Sequence, residues 1–315
     1  MRAATPTLIR LLVIAAAAAV VALLPFLLSG YHTGLGARVA VYVIAILGLN
    51  ILTGYTGQIS IGHGAFMAIG GYTTAIMSHD HDTNLIATLP LSLAVTFGCG
   101  ILVGIPALRF SGVYLALATF ALAVSVPQLP LKFSKFTGGS DGIRTSHDVS
   151  HLWLYGVSWT CVAVSFLLAW LLLRGRIGRA FRAVRDSPVA AASSGVALPI
   201  YKILAFGVSA AFAGVAGSLF VLVTNGFAQP NEFGVLLSLQ ILIGAAVAGL
   251  GSLWGVLVGG LFIGLLPTVS ADVPLIGSSH GQDVVFGLIV ILIMLLLPNG
   301  FVGLLARLSR VRARA

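Results

Sequence analysis

Three short stretches hold the residue types that do chemistry. Gly138–Gly142, GGSDG, fits the GxSxG pattern of a serine nucleophile. His79–Asp82, HDHD, sets metal-binding residue types side by side, and Asn50–Gly64, NILTGYTGQISIGHG, gathers neutral hydrogen-bonding groups. A nucleophile elbow needs a strand, a sharp turn and a helix within an α/β sheet. GGSDG lies instead in a polar loop, 132–151, between apolar runs. It therefore reads as a turn-rich surface whose Gly138, Gly139, Ser140 and Asp141 face a soluble partner. An isolated polar run such as HDHD reads as a solvated loop rather than a metal centre. The sequence contains no GxxxxGK[ST] phosphate loop and no HExxH zinc helix, so the chain does not hydrolyse ATP through a Walker site. Cys99 and Cys161 sit within apolar runs without CxxC spacing and read as buried, reduced residues.

The third stretch is different because no Asp, Glu, Lys or Arg occurs between Val39 and His79. Gly54, Gly57, Gly62 and Gly64 permit tight backbone, which predicts a turn or a broken helix. Asn50, Thr53, Tyr55, Gln58, Ser60 and His63 then offer hydrogen bonds at or near membrane depth. Two readings stay open: these side chains line the path of a polar solute, or they satisfy backbone groups freed by the break.

The elements that position these residues are helices. The chain is 58% hydrophobic and only 8% charged, with a mean hydropathy of +1.08, which excludes a soluble domain. A bilayer core of ~30 Å needs ~20 helical residues and tolerates no open sheet edge, so each long run is a helix and no sheet is expected. Ten spans are predicted, near 8–28, 38–53, 58–77, 85–106, 113–131, 152–173, 200–223, 235–250, 253–270 and 284–305. The first also fits a cleaved signal peptide, but its length suits a span better. Ala210/Gly214, Ala213/Gly217, Gly251/Gly255/Gly259 and Gly260/Gly264 follow the small-xxx-small spacing of close helix crossings.

Ten spans put both termini on one side. With that side cytoplasmic, thirteen of the seventeen Lys and Arg fall inside, and only Arg38, Lys132, Lys135 and Arg144 fall outside. Asp186 is the one acid inside. The positive-inside rule therefore predicts an N-in, C-in topology with a basic cytoplasmic tail at 306–315. The net charge of +9 then needs no nucleic acid. Every Asp and Glu maps to a loop or a span end, which weakens ion-coupled transport.

The arginines concentrate in the inner loop 174–200. Arg176, Arg179, Arg182 and Arg185 alternate with Ile177, Phe181 and Val184, predicting an amphipathic helix on the inner membrane surface. Ser187 is then an N-cap, Pro188 the first helical residue and Gly195 a C-terminal cap. The short helix between them has no large apolar face, and its small Ala190–Ala192 surface suits a groove on another protein.

At these residues a resemblance emerges. LNILTGYTGQISIGHGAFMAIGGYTTA, TGGSDGI and RAFRAVRDSPVAAASSGVALPIYKILAFGVSAAFAGVAGSLF closely resemble the branched-chain amino acid ABC importer permeases of the LivM-like type, from about Gly48 to Gly303. The resemblance implies an all-α, type II-like permease domain spanning 1–315 in a bacterial inner membrane. It also implies a second, LivH-like permease, two cytosolic ATPases that bind ATP and Mg, and an extracytoplasmic solute-binding protein. The family's coupling loop would correspond to Asp186, Ala190, Ala191 and Gly195, with Arg182 and Ser187 beside them. Asp186-Ser187-Pro188 stands where the fuller EAA pattern carries a glutamate. The chain reads as a translocation subunit and not as an enzyme. A transporter or channel acting alone is the alternative.

Overall fold

The computed structural model describes residues 30–146 and 149–271, together with 287, 288, 291, 292, 295, 300, 301 and 303. The predicted spans 8–28 and 284–305 and the tail 306–315 lie outside the described residues or almost wholly so. The described chain is a helical bundle. Its helices are α1 (Gly30–Leu49), α2 (His63–His81), α3 (Leu85–Ala107), α4 (Val113–Ser125), α5 (His151–Arg174), α6 (Arg176–Asp186), α7 (Pro188–Ser193), α8 (Leu198–Val223), α9 (Val235–Ala248) and α10 (Gly255–Ala271). Among the described residues, six helical segments are long and apolar enough to cross a membrane: Gly30–Tyr55, Leu85–Ala107, Val113–Lys132, His151–Arg174, Leu198–Val223 and Pro230–Ala248.

α8 and α1 form the centre. α8 packs against α3, α2 and α1, while α1 also packs against α5 and α10. Small residues allow these approaches, because in a bilayer close van der Waals contact has to replace a hydrophobic driving force. A Cβ at Gly217 would strike the Met67 backbone, and one at Gly264 would sit 2.7 Å from Val39. The packing reading of the small-xxx-small spacings therefore holds within α8 and α10. Gly251 departs from it: the residue lies in the turn before α10 with φ +83°. Buried hydroxyls add polar links, and Ser92 and Ser218 both donate to the Gly70 carbonyl, at 3.0 and 3.2 Å. The outer surface is apolar, with Leu102, Ile105, Leu117, Leu167 and Leu171 exposed, as contact with lipid requires.

Three expectations are corrected. A two-stranded antiparallel ladder exists, β1 (Ile143–Arg144) on β2 (Phe227–Ala228); it lies in the polar connections, where residues far apart in sequence come together. α1 begins at Gly30, well before the expected 38, because its weakly apolar first turns pack on α5. Arg38 is thus a half-buried residue inside the helix and not at its outer end. The third predicted span, 58–77, loses its start, since residues 57–62 are not helical.

Candidate functional site

The polar stretch is a broken helix. α1 runs on into a π-helical segment, Asn50–Tyr55, a widened form that occurs in short pieces and often at functional sites. Gly57, at φ +72°, ends it in a backbone conformation open chiefly to glycine. The chain then runs without helix until α2 starts at His63. His63 Nε2 lies 2.9 Å from Ser209 Oγ, midway along α8. The start of α2 is therefore deep in the bundle, and residues 58–62 are irregular backbone at that depth.

Such backbone survives only where protein satisfies it, and the neighbours do so. Thr119 Oγ1 on α4 accepts the Ile61 amide at 2.9 Å. Ser238 Oγ on α9 accepts the Gly64 amide at 2.9 Å, and Ser60 Oγ accepts that of Gly62. Thr53 Oγ1 donates to the Gln58 carbonyl, and Gln58 Nε2 donates to Thr56 Oγ1. Ser209 Oγ spends its one proton on the Gly48 carbonyl at 2.8 Å, so His63 must be the donor in their pair. Asn50 donates to the Ser252 carbonyl and accepts the Gly251 amide, each at 2.8 Å. Of the six residues singled out in the sequence, Asn50, Thr53, Gln58, Ser60 and His63 are buried and Tyr55 is half-exposed. The structure thus gathers them at one break and engages most of their polar groups internally. Sequence reading missed Thr119, Ser209 and Ser238, whose partners lie 58 to 174 residues away.

Ser238→Ala leaves the buried Gly64 amide without its acceptor and is expected to cost about 1–3 kcal/mol, seen as a lower Tm in detergent. Ser193→Ala removes only an exposed local hydroxyl and is expected to change stability by less than ~0.5 kcal/mol.

The arginine-rich loop follows its sequence reading in outline. Ser187 Oγ accepts the Ala190 amide, Pro188 opens α7, and Gly195 closes it at φ +83°. The Gly195 amide donates to Ala192 and that of Val196 to Ala191, at 3.0 Å each, the paired bonds of a Schellman cap. Two details differ. The apolar face of α6 does not lie on headgroups: Phe181 is fully buried and stands edge-on to Tyr201 of α8, so α6 is docked on the protein itself. Within α7, Ala191 is buried, whereas Val189, Ala190 and Ala192 face outward, with Val189 82% exposed. Arg182 is half-buried and Asp186 exposed. Asp186 pairs with Arg185 at 2.9 Å.

At the opposite end, GGSDG runs from a short helical turn, Ser134–Thr137, into β1, the reverse of a nucleophile elbow. Gly138, Gly139 and Gly142 all have positive φ, and exposed Ser140 donates to Asp141. The β1–β2 ladder fastens this loop to the end of α8. His79 Nδ1 meets the Arg144 carbonyl and Asp82 accepts from Ser146, so HDHD ties α2 to the same loop. Among the described residues no three His, Cys, Asp or Glu group together as a metal site. A cavity of about 900 Å³ opens at this end, lined in part by Arg38, Arg144, His151 and Asn225. Two fixed cations, Arg38 and Arg144, thus line this cavity.

A family model described as branched-chain amino acid transport system / permease component matches residues 32–297. The chain belongs to this family. The match takes in the break, the α6–α7 loop and the GGSDG loop together. The high-affinity branched-chain amino acid transport system permease protein LivM of Salmonella typhimurium is 31% identical over 307 residues, covering 88% of this chain and 71% of its own. LivM of Escherichia coli K12 matches at the same identity and coverage. The LivH permease protein of Escherichia coli K12 is 25% identical over 289 residues, covering 83% of this chain and 91% of its own. No solved structure matches. This permease is a multi-pass membrane protein whose bundle carries a broken helix at its core and a capped short helix at one end.

Proposed function

We propose that this permease is the translocation subunit of an ATP-driven importer for branched-chain amino acids or related small polar solutes. The observation that carries the reading is α7. It is six residues long, capped at both ends, and turns Val189, Ala190 and Ala192 away from the bundle. A rigid knob with small side chains suits a groove on a partner, and Arg182, Asp186, Ser187, Ala190, Ala191 and Gly195 shape it. The partners in this reading are two cytosolic ATPases, which bind ATP and Mg, a second LivH-like permease and an extracytoplasmic binding protein. The related LivM and LivH are both named as permease proteins of high-affinity branched-chain amino acid systems, which supports a paired arrangement. Gly138, Gly139, Ser140 and Asp141 present the surface for the binding protein. The solute passes along the broken helix, where five of the six polar residues hold the shape and Tyr55 remains open to contact.

The topology in this reading has ten spans, including 8–28 and 284–305, with both termini cytoplasmic in the bacterial plasma membrane. It places α7 inside and the GGSDG loop outside, as ATPase and binding protein require. Single cysteines test it in intact spheroplasts. Ser140→Cys is expected to react with a membrane-impermeant maleimide, and Ser193→Cys only after lysis. Co-purification of the tagged chain is expected to bring both ATPases and the second permease. A chain that purifies alone and is labelled at Ser193→Cys from outside would contradict the assignment.

A further inference from the structure

We propose that Arg185 transmits movement of the α6–α7 segment to the broken helix and to the turn between α9 and α10. The proposal rests on the coupling role given to α7 above. Arg185 Nη1 donates to the Gly54 carbonyl at 3.0 Å, across 131 residues of sequence. Its Nε and Nη2 are held by Asp186 Oδ1 at 3.0 and 2.9 Å, so the planar guanidinium is oriented by its own helix. Two further backbones close on the same side chain. A Cβ at Gly57 would stand 3.2 Å from Arg185 Cγ, and one at Gly251 would stand 3.2 Å from Nη1.

Asn50 grips the same junction from the other side. Its two bonds to Gly251 and Ser252 join the π-helical segment to the α9–α10 turn, and Gly54 has no side chain to block that approach. A push on α7 reaches α6 through their shared cap at Ser187, and α6 moves as a unit because Phe181 is locked in the core. Arg185 is where that unit meets the break. A guanidinium with several fixed donors is suited to such a joint, since its bonds are directional and its charge is permanent. The π-helical segment is the part of α1 best able to rearrange in response. Arg176 and Arg179 are exposed, and among the described residues neither donates to the break.

The test uses the complete complex in proteoliposomes with leucine as the probe and reads leucine moved per ATP hydrolysed. Arg185→Ala is expected to leave the complex assembled and hydrolysing ATP, while leucine per ATP falls about tenfold. Arg185→Lys, which keeps the charge and a donor, is expected to recover part of the loss. Asn50→Ala is expected to uncouple in the same way, and the double variant to fall no further than the worse single, because both cut one link. If Arg185→Ala does not assemble, Arg185→Met keeps the stem that packs on Gly57 and removes the donors, and the same cycle is run with it. A parental ratio for the variant that assembles, or single losses that multiply in the double variant, would overturn the proposal. If the parent complex takes up leucine without consuming ATP, it is the coupling assignment that fails, and this proposal falls with it.

Discussion

Gly70→Leu is expected to abolish recovery of monodisperse protein, whereas Gly98→Leu is expected to express as the parent does. The two glycines lie on neighbouring helices of the same bundle and differ in what a side chain would meet. A Cβ at Gly70 would overlap the backbone of Gly214, and backbone cannot turn aside as a flexible side chain can. α2 and α8 would have to separate. Their separation would also break the Ser218 hydrogen bond to the Gly70 carbonyl. Overpacking of a tight interior costs about 1–3 kcal/mol even where side chains can yield, and here none stands in between. A Cβ at Gly98 meets nothing within 4 Å. Size-exclusion profiles of the two detergent-solubilised variants give the comparison, and equal yields would mean that the α2–α8 crossing is not what holds the bundle.

The second large effect concerns function. Val189→Trp is expected to lower ATP-driven uptake about tenfold or more by overpacking the partner groove, without loss of folded permease, because Val189 is 82% exposed. Arg179→Ala removes an exposed cation worth about 1 kcal/mol of headgroup attraction and is expected to leave uptake near the parental level. Ala191→Trp would be a poorer probe: Ala191 is buried within this chain, so the substitution disturbs α7 before it reaches any partner. Co-purification of the ATPases measures docking, and uptake beside ATP hydrolysis measures coupling. Equal, mild effects from Val189→Trp and Arg179→Ala would remove α7 from the coupling role.

Much of the bundle is legible in the sequence because bilayer physics leaves little choice. Long apolar runs must be helices, and the runs at 85–106 and 152–173 correspond closely to α3 and α5. Local chemistry is legible for the same reason. Ser187, Pro188 and Gly195 define α7 through bonds that span only three to five residues. Contacts between distant parts of the chain are not legible. Nothing near Arg185 in the sequence marks it off from Arg182 or Arg179, because its partner is Gly54. The polar interval shows that a break must occur, but where it falls depends on Thr119 and Ser238, which supply the acceptors. Arg38 reads as the outer end of the span 38–53 by hydropathy, and the packing of α1 on α5 extends the helix eight residues before it. The β1–β2 ladder joins two segments that are two residues each, too short to leave a pattern.

The central claim is that this permease moves solute at the expense of ATP hydrolysed by partners seated on α7. It is tested most directly by leucine accumulation in proteoliposomes holding the complete complex, with the binding protein on the outside and ATP on the ATPase side. The account predicts accumulation only when ATP is present, and its loss in the Val189→Trp complex while the complex still supports no gradient-driven uptake. Leucine accumulation by this chain alone, driven by an ion gradient without ATP, would contradict it.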